Sequence, residues 1–171
     1  MSTPPTVRPA RIEDIDQLAE VHVRCWQEAY RGLVPDSVLD DPALPARRRR
    51  LWTAALTDER YRANTVAVAE RESRVVGIAM SGPPLDAEAA WTRDLYVLYL
   101  RAAEHGSGAG AALLGAVLDP DDTAALWVAD PNPRAAGLLP QARLRGRRDR
   151  QGRGRAAGDQ DAPRRVSGGG S

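Results

Sequence analysis

Lysine and phenylalanine are missing from this chain, cysteine occurs once, and aromatic residues make up only 5% of its 171 positions. Each shortage excludes something. Without lysine, the Gly-Lys-Ser/Thr ending of a Walker phosphate loop cannot be built. A lone Cys25 forbids a disulfide within the chain and fits a reducing compartment. Its place beside Trp26 on an apolar helical stripe reads as packing rather than nucleophilic chemistry. No apolar run approaches the roughly 20 residues that a bilayer span requires, and the N-terminal MSTPPTVRP has no signal core. The expected location is therefore cytoplasmic, with no membrane partner. A net charge of +1 supplies no general attraction to nucleic acid. Every Trp and Tyr lies at or before Trp127, and the segment after residue 136 is mostly Arg, Gly, Ala, Asp, Gln and Pro. Such a segment cannot bury enough apolar surface to offset its ordering entropy. The expected organisation is one domain over 1–136 and a basic, low-complexity, disordered tail over 137–171.

The most informative stretch is Leu95 to Leu118, LYVLYLRAAEHGSGAGAALLGAVL. It joins a Tyr/Val/Leu-rich run, a polar elbow, a glycine cluster and an Ala/Leu-rich segment, so it reads as strand, loop and helix. Glycines let a backbone turn sharply and bring several N–H groups to one ligand, and a helix starting there adds free donors and about half a positive charge. That combination suits a phosphate or pyrophosphate. The dinucleotide fingerprint G-x-G-x-x-G/A is formally met by Gly106, Gly108 and Ala111, but it should follow its strand directly, and Arg101 to His105 intervene. A turn that merely lets strand and helix pack closely is the plainer alternative.

Upstream, Val7 to Ala10 reads as an edge strand. Ile15, Leu18, Ala19, His22, Cys25, Trp26, Ala29 and Tyr30 recur at spacings of three and four, predicting an amphipathic helix that stops at Gly32. Arg47 to Arg50 with Leu51, Trp52 and Leu56 predicts a shorter helix whose arginines form a solvated face, suited to lie near a ligand's phosphates. Thr65–Ala69 and Val75–Met80 predict an antiparallel hairpin turning at Glu70–Arg74, and Ala89–Leu100 a fourth strand. Ala124 to Ala129 reads as a compact buried strand.

The loop resembles the acetyl-CoA loop of the GNAT superfamily of N-acetyltransferases, Gln/Arg-x-x-Gly-x-Gly/Ala, with His105 in the Gln/Arg place and Gly108 and Gly110 at the glycines. Trp26 to Asp40 resembles the first two helices of a bacterial branch of that family, Val76-Gly77 its third-strand motif, and Asn132 with Ala135 its Asn-x-x-Ala. The resemblance implies an α/β fold: a mixed, mainly antiparallel sheet with helices on both faces. It implies acetyl-CoA as co-substrate, no metal, and a primary amine as acceptor. Pantetheine amides would pair with strand four near Leu98, Tyr99 and Leu100, and the pyrophosphate would rest on Gly106, Ser107, Gly108, Ala109, Gly110 and Ala111. His105 would serve the loop or the phosphate side, and Asn132 would hold the pantetheine arm. Trp26 and Tyr30 are either acceptor contacts or core aromatics. Asp94 is the nearest carboxylate to serve as base, with a turn role as its alternative. A homodimer is compatible with this picture.

The resemblance stops after Ala135. Leu139 stands where the family has a tyrosine able to protonate the departing thiolate, and the following Gly-Phe is missing. Loss of a general acid typically costs on the order of 10² to 10⁴ in rate. Suitable codons for Leu138–Leu144, read one nucleotide along, permit Phe-Tyr-Arg-Lys-x-Gly-Phe, so a frameshift from about Gly137 explains the departure and the coding DNA tests it. With no strand expected after Ala135, the last two family strands are expected to be missing and the sheet edge uncovered, lowering stability. Two alternatives stay beside impaired N-acetyltransferase activity: a non-catalytic acyl-CoA-binding remnant, and nucleic-acid binding through the Arg-rich tail. The tail lacks the interleaved aromatics that stack on bases.

Overall fold

A computed structural model describes residues 3–128 and 144–148. Strand β1 (Thr6–Pro9) leads through a 3-10 turn at Ile12–Asp14 into helix α1 (Ile15–Tyr30). Helices α2 (Asp36–Leu39) and α3 (Leu44–Thr57) follow, then β2 (Thr65–Arg71), β3 (Arg74–Gly82), β4 (Arg93–Leu100), α4 (Ala109–Val117), β5 (Ala124–Val128) and β6 (Leu144–Arg148). The strands lie in one sheet in sequence order. Neighbours are antiparallel from β1 to β4 and parallel at β4–β5 and β5–β6. A parallel step needs a crossover, and α4 supplies it between β4 and β5.

Helix α1 forms where its apolar period predicts, burying Leu18, Ala19, His22, Cys25 and Trp26 on one stripe. Gly32 ends it with φ +85°, letting the N–H groups of Leu33 and Val34 both return to the Tyr30 carbonyl at 2.9 and 3.0 Å. Helices α1 and α3 cover one face of the sheet through Val66, Val68, Ile78, Met80 and Val97, with Trp52 and Leu18 fully buried among them. Burying each such large side chain stabilises the fold by about 1.5–3 kcal/mol. Helix α4 covers the other face over Ala67, Ala69, Ala79 and Leu95. The three alanines let it lie close. A Cβ at Gly77 would come within 2.7 Å of Leu100 Cδ1 and 3.0 Å of Leu113 Cδ1, so a larger residue there must displace those leucine tips.

Three expectations change. The fourth strand begins at Arg93, not Ala89, because Pro83-Pro84 breaks the run and the following loop folds back onto Asp94. The hairpin turn tightens to Glu72-Ser73, both with positive φ, the twist a two-residue connection requires. A strand does follow Ala135: Leu144–Arg148 pairs in parallel along the whole of Ala124–Val128, so the outer edge of β5, expected to be uncovered, is covered. Backbone N–H and C=O groups suffice for such edge pairing. The residues Leu-Arg-Gly-Arg-Arg therefore carry no alternating apolar signal. Among the described residues, no helix is long and apolar enough to cross a membrane.

Candidate cofactor and acceptor site

Strand β4 is treated differently along its two edges. Against β3 it pairs from Gly82–Asp94 to Gly77–Leu100, whereas against β5 it pairs only through Arg93–Ala124, Asp94–Ala125 and Leu95–Leu126. The separation starts at a β-bulge. Met80 faces Val97 and Ser81 faces Leu95, leaving Tyr96 as the extra residue. The bulge sends two successive side chains, Tyr96 and Val97, to the α1/α3 face and bends the strand where β5 departs. From Tyr96 to Leu100 the β5-side edge finds no strand partner among the described residues.

The polar elbow beyond Leu100 is fastened at several points. Arg71 grips the buried Glu104 with Nε to Oε1 at 2.8 Å and Nη2 to Oε2 at 2.6 Å, which draws the Glu104 pKa below the usual carboxylate range. His105 Nε2 lies 3.0 Å from the Leu100 carbonyl, tying the loop back to the strand end. Glu28 of α1 accepts from Arg101 Nε at 2.9 Å and from the Ala102 N–H at 3.0 Å. Gly106 and Gly108 both take φ +83°, a conformation other residues resist. The N–H groups of Gly106, Gly108, Gly110 and Ala111 find no acceptor among the described residues. Helix α4 starts at Ala109 with no acidic residue in its first turn, so nothing offsets the positive end of its dipole. The result is a rigid turn presenting open donors beside the free edge of β4.

On the α1/α3 face, aromatic rings gather around Tyr99. Its ring centroid lies 5.2 Å from that of His22, which lies 5.7 Å from Trp52, while Trp26 and Tyr30 stand 5.9 Å apart. Burial, and then the neighbouring Tyr30, raises the Tyr99 pKa far above the ordinary tyrosine value; burial also raises that of Tyr30. Both hydroxyls therefore stay protonated at neutral pH. His22 is wholly buried with neither ring nitrogen hydrogen-bonded among the described residues, and burial, assisted by the Arg48 charge, lowers its pKa well below 6.5. Arg48 is itself buried, 5.7 Å from the centre of the Trp26 ring. The arginine run is thus not uniformly solvated. Arg47 pairs with Asp41, Arg49 with Asp16, and Arg48 turns inward because it falls between Leu44 and Trp52 on the buried stripe of α3. Cys25 packs in the same stripe, its thiol pushed up to about 12 by burial.

The structure brings Leu98, Tyr99, Leu100 and His105 to Ala111 together as one strand end and loop, with Trp26 and Tyr30 on the α1 side. Asp94 lies at the opposite end of β4, only 1% exposed, accepting from the Leu85 N–H at 2.9 Å and Trp91 Nε1 at 2.6 Å. That geometry holds the 83–91 loop. Asn132, Ala135 and Leu139 lie outside the described residues. Sequence reasoning missed Glu28, Arg71, Arg101 and Glu104, because partners 33 and 73 positions apart leave no periodic trace.

Comparison with known proteins bears on the fold that carries this geometry. An uncharacterized N-acetyltransferase of Bacillus subtilis, YuaI, is 32% identical over 110 residues, and the match spans 64% of this chain and 60% of that protein. The crystal structure of a histone acetyltransferase HPA2 and related acetyltransferase from Corynebacterium glutamicum superposes with a TM-score of 0.58 at 22% identity, covering 81% of this chain and 83% of that one. The fold is that of the GNAT N-acetyltransferases. A second structure, the PaiA N-acetyltransferase from Thermoplasma acidophilum in complex with coenzyme A, gives a TM-score of 0.54 at 18% identity over 66% of this chain and 68% of its own. No protein-family model matches the chain.

Proposed function

We propose that this chain is an acetyl-CoA-dependent N-acetyltransferase acting on a primary amine. The observation that carries the reading is the pairing of a strand edge freed at Tyr96 with four unsatisfied amides at the start of α4. An extended arm bearing amides and ending in a pyrophosphate needs both, side by side. The amides of Gly106, Gly108, Gly110 and Ala111 would hold the pyrophosphate, and the backbone of Leu98 to Leu100 would orient the pantetheine arm. A bound thioester supplies the acyl group. The chain's own part is to position it, to exclude water with the aromatic wall of α1, and to present the amine. Trp26 and Tyr30 suit the acceptor side, and Tyr99, which joins them on that face, belongs equally to the strand that holds the arm.

Asp94 is better read as the anchor of the 83–91 loop than as the base, since both its oxygens already accept hydrogen bonds. Leu139 favours a second reading in which binding outlasts catalysis and the chain is a non-catalytic acyl-CoA binder. The basic tail over 137–171 stays a separate proposal, with nucleic acid as the weaker partner.

A thermal-shift titration tests the reading, with acetyl-CoA against ADP and a nicotinamide cofactor. At 100 times the dissociation constant, a ligand adds about 2.7 kcal/mol to a two-state protein. The expected result is a shift with acetyl-CoA alone; a cooperative melt without one overturns the proposal. Release of free thiol from acetyl-CoA with a panel of primary amines then separates transferase from binder.

A further inference from the structure

We infer that Glu28 is a positioning residue for the cofactor loop, locking the acceptor-side helix α1 to the turn that carries Gly106 to Ala111. The inference rests on the acetyl-CoA reading above. The two oxygens of this one carboxylate serve different donors. Oε1 accepts from Arg101 Nε at 2.9 Å, and Oε2 accepts from the Ala102 backbone N–H at 3.0 Å. Arg101 is the residue before the 3-10 turn Ala102–Glu104 and caps nothing with its own side chain. Glu28 therefore serves as the cap of a turn 74 positions away in sequence.

The same turn is tied on its far side by Arg71 to Glu104, and Arg101 N–H donates to the Val76 carbonyl at 2.9 Å. Those bonds fix the turn to the sheet, while Glu28 alone among these ties fixes it to α1. Trp26 and Tyr30 flank Glu28 on that helix. Core packing seats this helix on β3 and β4, and Glu28 adds a direct side-chain tie from it to the turn itself. The Arg101 and Glu28 side chains are 34% and 32% exposed, so their ion pair is screened and adds little to stability. A backbone hydrogen bond to a charged acceptor acts instead through geometry, by fixing where the turn sits.

Calorimetric titration of the full chain with coenzyme A tests this. Six proteins are compared: the unaltered chain, Glu28→Ala, Glu28→Gln, each of these two with Arg101→Ala added, and Glu20→Ala, which removes an exposed α1 pair with Arg24. Glu28→Ala is expected to weaken coenzyme A about five- to tenfold, the scale of one or two lost hydrogen bonds. Glu28→Gln, whose amide oxygen still accepts from Ala102, recovers part of that loss, and Glu20→Ala changes nothing. Arg101→Ala added to Glu28→Ala costs no more than Glu28→Ala alone if the two act as a unit. Equal affinity for the unaltered chain and Glu28→Ala overturns the inference and leaves the function standing, as does an equal loss in Glu20→Ala. No binding to the unaltered chain overturns the acetyl-CoA reading and the inference with it. If Glu28→Ala does not fold, Glu28→Gln carries the comparison, and full affinity in that variant with Arg101→Ala also present overturns the inference.

Discussion

The two edges of β4 are built from the same eight residues and do opposite things. Toward β3 the strand is paired from Asp94 to Leu100 and backed by the close approach of Leu100 and Leu113 to Gly77. Toward β5 it lets go after Leu95. A sheet can tolerate an opened seam because stability comes from the closed one, where the side chains on both faces are packed. One bulge at Tyr96 is enough to separate the two roles.

The largest way to break this contrast is Gly77→Val. Its side chain must push aside the tips of Leu100 and Leu113, and overpacking of this kind costs about 1–3 kcal/mol. Urea melts should show the loss in full, and an unchanged midpoint would mean that the β3–β4 seam is not the stabilising one. Gly108→Val attacks the open side instead. Its φ of +83° costs a β-branched residue about 1–2 kcal/mol, and the distorted turn should weaken coenzyme A more than tenfold in calorimetry.

His22, beneath Tyr99, sharpens the comparison through pH. Folded, it stays neutral well below 6.5; unfolded, it takes up a proton near that value. Its contribution to stability is therefore complete above about pH 6.5 and falls by about 1.4 kcal/mol per unit as the pH drops below it. His22→Leu should flatten that slope and melt no lower than the parent chain at pH 5, since no polar ring is left without a partner; a slope no flatter than the parent's would refute the assignment. The smallest effect belongs to the β2–β3 turn, where Ser73→Gly relieves a φ of +63° and should raise stability by about 0.5–1 kcal/mol in the same urea melts.

Legibility in the chain tracked the range of the forces involved. The α1 stripe, the β2–β3 hairpin and the glycine loop were legible because each is specified within a few residues by period, turn chemistry or φ. The start of β4 was not, because Trp91 and Leu85 are drawn away from the strand by Asp94, a contact that no alternation pattern encodes. Nor was β6, which pairs by backbone alone, or the inward turn of Arg48. The loop's sharp turn could be anticipated from Gly106 and Gly108, which both take positive φ. Its fasteners, Glu28 and Arg71, could not.

The half-released strand should also leave a signature in time. In an extended strand successive amides point to opposite sides, so between Val97 and Leu100 every other N–H is locked to β3 while its neighbours face the gap. Deuterium should enter that stretch in alternation, slow and fast by turns, and a ligand lying in the gap would erase the difference.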